Sequence, residues 1–160
     1  MEIVEIGNEE QKSSAVSDII KTLPEWFGIP AANAHYIKEA ESKDVFAAYD
    51  DQGQAVGVIA LRYHFGTTAE IWWMGVKPAS HRRGVGSLLL EAAKSRAQEK
   101  ECRALAVLTL SPRKPDLHYA RTRAFYERYG FRWFLEVDER YPNNPLAWMI
   151  MELEGPPPRR

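Results

Sequence analysis

His81-Arg82-Arg83-Gly84-Val85-Gly86-Ser87 places two glycines and two arginines where an extended run gives way to a helical one. Glycine lets a backbone approach a ligand closely, and the first N–H groups of a helix have no partner inside it, so such a turn can hold an anion. The third glycine of a dinucleotide fingerprint is missing, with Leu89 in its place, and so is the Gly-Lys-Ser/Thr ending of a Walker loop. Both nucleotide readings fall. Taken alone, the pattern suits a plain strand-to-helix turn equally well. Upstream, Glu70 is the only ionisable side chain in the run Ala69–Val76. On a strand it would project with Trp72, Met74 and Val76 to one face, and Ile71, Trp73 and Gly75 to the other. Cys102 lies in the polar joint Lys100–Arg103 with no histidine pattern nearby, which suits a structural thiol rather than a nucleophile. His35, His64, His81 and His118 fall in different elements at no metal-ligand spacing, and no metal site is expected.

The elements that must position these residues follow from periodicity and punctuation. Ile3–Ile6 alternates like a short strand, and Asn8 with Gln11 resembles a capping box opening a helix to about Leu23, buried along Val16, Ile19, Ile20 and Leu23. Pro30 suits the first turn of a second helix running to about Glu41. Val45–Tyr49, Ala55–Tyr63 and Ala69–Val76 read as three consecutive antiparallel strands, with a turn at Asp50–Gly53 and a break at Gly66-Thr67. A helix over Gly86–Gln98 then precedes Ala104–Leu110, a continuously apolar strand expected to be buried on both faces. A fourth helix over about Tyr119–Tyr129 stops at Gly130, and strands at Trp133–Val137 and Ala147–Leu153 follow. The order is β-α-α-β-β-β-α-β-α-β-β.

Composition bounds the function. The 160 residues carry 21 Lys+Arg against 22 Asp+Glu and one cysteine. A chain of this length forms one domain and buries roughly 70% of the surface its unfolded form exposes, enough for a core without disulfides or structural zinc. An internal disulfide is impossible, and a reducing, cytoplasmic setting is expected. The longest apolar run, Ala55–Leu61, falls short of the ~20 residues of a membrane span. The net charge of −1 speaks against a dedicated nucleic-acid binder.

Taken with the element order, His81–Ser87 resembles motif A of the Gcn5-related N-acetyltransferase (GNAT) superfamily, a Gln/Arg-x-x-Gly-x-Gly/Ala turn that binds the pyrophosphate of acetyl-coenzyme A (acetyl-CoA). His81 stands where that pattern has Gln or Arg. Thr122–Phe131 is similar to motif B, which ends in Phe-Tyr-x-x-x-Gly-Phe, with Tyr119 where an Asn is usual. The nearest branch is a bacterial one with an Asn-Pro near its end, as at Asn144-Pro145. The resemblance implies an α/β (α+β) single-domain GNAT fold, a mixed, largely antiparallel sheet of six to seven strands flanked by about four helices. The domain would span residues 1–154, with a disordered tail over 155–160.

It also implies an N-acetyltransferase that moves acetyl from acetyl-CoA to a primary amine by direct attack in a ternary complex. The competing reading is a non-catalytic acyl-CoA binding or regulatory domain, and retention of Glu70 and Tyr126 favours the enzyme. His81, Arg82, Arg83, Gly84, Val85, Gly86 and Ser87 would hold the cofactor. The Met74 and Val76 main chain would pair with its pantetheine arm, Gly75 allowing close approach, and an N–H near Val76 would form the oxyanion hole. An alkylammonium is neutral in only about one molecule in 2,500 at pH 7, a handicap of ~4.6 kcal/mol, so a base is needed. Glu70, eleven residues ahead of His81, occupies the place of the catalytic glutamate of histone-acetylating members, and the other reading of it is a strand-end surface carboxylate. Tyr126 is the candidate general acid for the departing thiolate, while Phe125 and Phe131 can enter the core. Arg121 and Arg123 either reach the coenzyme's 3′-phosphate or line a solvated helix face. Trp26, Phe27, Tyr36, Trp72 and Tyr141 would wall the acceptor site, part of them doubling as core. The partner is a small-molecule or peptide amine, with no nucleic acid and no membrane, and a homodimer stays open.

Overall fold

The computed structural model describes residues 1–137 and 143–154. Tyr141 and the expected tail at 155–160 lie outside them. Seven strands and four helices follow in the expected order: β1 (Glu2–Ile6), α1 (Glu9–Ile20), α2 (Pro30–Glu39), β2 (Asp44–Tyr49), β3 (Ala55–His64), β4 (Thr68–Val76), α3 (Val85–Glu99), β5 (Ala104–Leu110), α4 (Leu117–Tyr129), β6 (Arg132–Glu136) and β7 (Leu146–Glu152). The strands belong to one mixed sheet ordered β1-β2-β3-β4-β5-β7-β6. The chain forms two compact units, Met1–Arg62 with Ile71–Arg96, and Tyr63–Glu70 with Ala97–Arg160.

In the first unit, β1 pairs antiparallel with β2 from Glu2↔Tyr49 to Ile6↔Val45, and β2 pairs antiparallel with β3. Asn8 caps α1 as its sequence requires, its side-chain oxygen accepting the Gln11 N–H at 3.0 Å. The helix ends at Ile20, three residues short of expectation, but Leu23 N–H bonds the Ile20 carbonyl and Leu23 stays buried. Val16, Ile19, Ile20 and Leu23 meet Val45, Ala47, Val58, Ala60 and Trp73 in one core. Burying each large aliphatic side chain there is worth about 1.5–3 kcal/mol.

Two glycines set how closely helices seat on this sheet. A Cβ at Gly75 would lie 2.6 Å from Trp73 Cη2, 2.9 Å from Ile19 Cγ2 and 3.1 Å from Leu23 Cδ1. Gly75 thus admits the end of α1 and the Trp73 ring, a role its sequence position alone did not reveal. A Cβ at Gly57 would lie 2.9 Å from Val85 Cγ1, 3.0 Å from Leu89 Cδ1 and 3.3 Å from Val76 Cγ2, so the first turns of α3 rest on the space that residue leaves. Near the other end of α3, Arg96 forks to Glu5 at 2.6 Å and Asp44 at 3.2 Å, fastening the helix to β1 and β2. The Arg96 hydrogen bond holds the Glu5 carboxyl below its ordinary range.

In the second unit, β7 pairs antiparallel with β5 from Ala104↔Glu152 to Leu110↔Leu146, and with β6 on its other side. The register shifts between Trp133 and Leu135, a bulge at the sheet edge. The expected two-sided burial of β5 holds except at Leu108, which is 38% exposed. Asp116 caps α4 by accepting the Tyr119 N–H at 3.0 Å, so the helix begins at Leu117, before the expected Tyr119. Gly130, at φ 117°, ends it in the left-handed conformation.

Gly57→Val tests the seating of α3. The added carbons must displace the buried Val85 and Leu89, and overpacking of this kind costs about 1–3 kcal/mol. We expect the thermal midpoint to fall by roughly 3–10 °C. An unchanged melting curve would show that α3 yields without cost.

Candidate functional site

The Pro78–Ser80 turn leads from β4 into the expected anion-binding segment. Arg82 (φ 61°) and Gly84 (φ 78°) both adopt the left-handed region, which curls the chain before α3. Only Gly84 enters that region without strain. Leu88 N–H bonds the Gly84 carbonyl at 3.1 Å, the first bond of the helix, so the N–H groups of Val85, Gly86 and Ser87 precede the ladder. Val85 is buried against the sheet, whereas Arg82, Arg83 and Ser87 are exposed. Backbone donors and two exposed guanidinium groups suit a pyrophosphate.

His81 does something else as well. Its Nε2 lies 2.7 Å from the Val76 carbonyl, and its ring meets Trp26 edge-on with centroids 5.8 Å apart. Donating to that carbonyl ties the loop to the last residue of β4, which is where the resemblance places the pantetheine arm. The Lys77 N–H bonds Val56 O at 2.8 Å and fixes the same corner to β3.

Glu70 is 3% exposed, which removes the surface-carboxylate reading. Its Oε2 lies 3.7 Å from His64 Nε2. His64, at the end of β3, returns to Glu70 across the turn Phe65–Thr67, an approach no spacing rule announced. Cys102 is buried and its thiol is raised by that burial, in keeping with a structural role.

Tyr126, 5% exposed on α4, packs against Phe125 and Phe131 at centroid distances of 5.4 and 5.2 Å. Burial, and secondarily Tyr119, pushes its phenol well above the ordinary value. Phe131 is buried as expected, while Phe125 is only half-buried. Arg123 corrects the sequence reading: it is 8% exposed and donates from Nη1 to Leu110 O at 3.0 Å, so it neither lines a solvated face nor reaches outward for a phosphate. Burying that guanidinium against a backbone acceptor at the end of β5 holds α4 in place. Arg121 is exposed.

The described members of the expected aromatic wall, Trp26, Phe27, Tyr36 and Trp72, are half-buried around the core of the first unit. Tyr36 and Trp72 pack at 5.5 Å, and Phe27 and Trp73 at 5.3 Å. Strict alternation would send Trp72 and Trp73 to opposite faces, yet both rings join this cluster. Lys43, unforeseen from sequence, lies with Nζ 4.7 Å from the centre of the Trp72 ring. A lysine far in sequence from its aromatic partner gives no periodic signal. Among the described residues, no group of three or more His, Cys, Asp or Glu could hold a metal ion, and no helix is long and apolar enough to cross a membrane.

The sequence model of the acetyltransferase (GNAT) domain matches residues 41–133, more than half of the chain. The chain belongs to the GNAT family. It is accordingly an acetyl-CoA-dependent N-acetyltransferase. No curated protein matches it. Solved GNAT structures share its fold: a GNAT-family protein from Desulfovibrio desulfuricans has a TM-score of 0.82 at 18% identity, covering 96% of this chain and 99% of that one. An aminoglycoside 6′-acetyltransferase type Ii has a TM-score of 0.77 at 21% identity, covering 98% and 100%. An aminoglycoside 6′-N-acetyltransferase complexed with coenzyme A has a TM-score of 0.77 at 18% identity, covering 99% and 100%.

The raised Tyr126 phenol gives this GNAT chain a stability signature. The unfolded chain loses that proton near pH 10 while the folded chain retains it, so the stabilisation is present below about pH 10 and lost as pH rises above it. In urea titrations from pH 8 to 11.5, Tyr126→Phe should lose stability less steeply than the parent above pH 10. Identical slopes would mean that the phenol reaches water.

Proposed function

We propose that this GNAT chain acetylates a primary amine of a small molecule or peptide by direct attack in a ternary complex, with Glu70 as the base. The observation that carries this reading is the 3% exposure of the Glu70 carboxylate on β4. An ionisable group held in an interior is expensive to maintain and is retained where a proton must be moved. Glu70 takes a proton from the acceptor's ammonium through a relay of waters, since Val76 lies six residues further along the same strand, and leaves the nitrogen lone pair free to attack.

The other residues act around that step. The N–H groups of Val85, Gly86 and Ser87 hold the pyrophosphate, with Arg82 and Arg83 adding charge. The Met74 and Val76 main chain orients the pantetheine arm, and an N–H near Val76 stabilises negative charge developing on the thioester oxygen. Bound acetyl-CoA supplies the activated acetyl group and a thiolate leaving group. Tyr126 donates a proton to that thiolate. Because burial raises the phenol, this transfer is uphill, and Tyr126 contributes modestly. Trp26, Phe27, Tyr36 and Trp72 line the acceptor side.

Two measurements check the assignments. Gly86→Glu, which adds bulk and negative charge at the pyrophosphate turn, should leave a folded chain that no longer binds acetyl-CoA by calorimetry. Unchanged affinity would move the cofactor elsewhere. For the base, acetyl-CoA is assayed with a panel of primary amines that includes aminoglycosides, polyamines and peptide N-termini. With the best acceptor, Glu70→Gln should lower kcat at pH 7 by ~10²-fold or more and regain activity toward pH 9, where more amine is neutral. A rise confined to KM would assign Glu70 to holding the ammonium charge instead.

A further inference from the structure

We infer that His64 is a positioning residue for Glu70, its Nε2–H turned toward the carboxylate and aiming it. The inference rests on Glu70 being the base proposed above. His64 Nε2 lies 3.7 Å from Glu70 Oε2, just beyond hydrogen-bond length, and that nitrogen is buried with no hydrogen-bond partner among the described residues. The His64 side chain is 37% exposed and that of Glu70 only 4%, so the imidazole meets water along the rest of its ring while its buried nitrogen faces the carboxylate.

The turn that delivers His64 is strained and anchored. Phe65 (φ 56°) and Gly66 (φ 68°) are both left-handed, and Thr67 N–H closes the turn on His64 O at 3.1 Å. A left-handed non-glycine residue is strained and persists where its surroundings impose it. Here Arg103 N–H grips Thr67 O at 2.7 Å. Charged groups on the segments meeting the hairpin are Arg62, beside Tyr63 in sequence; Lys100, whose Nζ lies 4.3 Å from the centre of the Tyr63 ring; and Arg103, which binds through its main chain.

A base must be ionised before it can act, and an ionised carboxylate removed from water needs donors. The imidazole Nε2–H supplies one. In the reaction one acceptor N–H bond breaks and one carboxyl O–H bond forms, while the His64 Nε2–H stays in place. Nothing is oxidised or reduced.

The test combines ring-nitrogen NMR of the full-length protein with kinetics on the best acceptor of the amine panel. In the wild type at neutral pH, His64 should carry its proton on Nε2, and Glu70→Ala should remove that preference. A wild-type His64 protonated on Nδ1, with Nε2 bare, overturns the inference whatever the variants do. His64→Phe, a ring without a donor, should lower kcat at pH 7 about 10-fold, recover toward pH 9 and leave KM for acetyl-CoA unchanged, whereas His64→Gln, which keeps an N–H donor, should stay within about threefold of wild type. On a Glu70→Gln background His64→Phe should cost nothing further. If Glu70→Gln lowers kcat and His64→Phe does not, the positioning role fails and the base assignment stands. If Glu70→Gln matches wild type, the base assignment fails, and the positioning role with it.

Discussion

Close approach of helix to sheet is the constraint on which the first unit depends. Gly57 and Gly75 lie on neighbouring strands, and each leaves vacant the space a methyl group would claim, one under α3 and one under α1. With α3 seated this low, its first turn emerges beside the end of β4, where the Lys77 and His81 contacts fix the corner. The turn proposed to bind the pyrophosphate is therefore the exposed end of a packing arrangement. Its geometry follows from apolar contacts at Val85 and Leu89 rather than from its own exposed residues.

What could be read from sequence were the features that depend on neighbours in the chain. The Asn8 cap, the apolar stripe of α1, the Gly130 stop and the order of all elements rest on local propensity and periodicity, and the structure reproduces them. The Asp116 cap is equally local, but Tyr119 stands three residues on, where a capping box would have Glu or Gln, so its signal is weak. The motif residues of the turn before α3 are legible through family resemblance, while Gly57, which seats them, carries no motif. Arg123 was misplaced for a related reason: helix-surface arithmetic treats an arginine as solvated, and only the tertiary fold supplies the Leu110 carbonyl that receives it.

The same division runs through the candidate catalytic residues. Family resemblance singles out Glu70 but cannot say whether it is buried, since that depends on what covers the start of β4. His64 and Lys43 come to their partners through a turn and a chain reversal whose register no local pattern encodes. Tyr126 shows that a conspicuous motif residue can also belong to the core: wedged among phenylalanines, it gains packing and becomes a weaker acid.

Arg96 gives α3 a second function. The helix has 15 residues and is therefore about 22 Å long, with the proposed pyrophosphate turn at one end and the grip on Glu5 and Asp44 near the other. The segment Arg96 secures is β1, an edge strand paired on one side only, and such strands open locally at low cost. Any ligand that requires α3 to be in place draws β1 into the same cooperative unit, by thermodynamic linkage rather than contact. If the acyl donor binds at the proposed turn, saturation with it would thus slow amide hydrogen exchange in β1, at the far end of the helix.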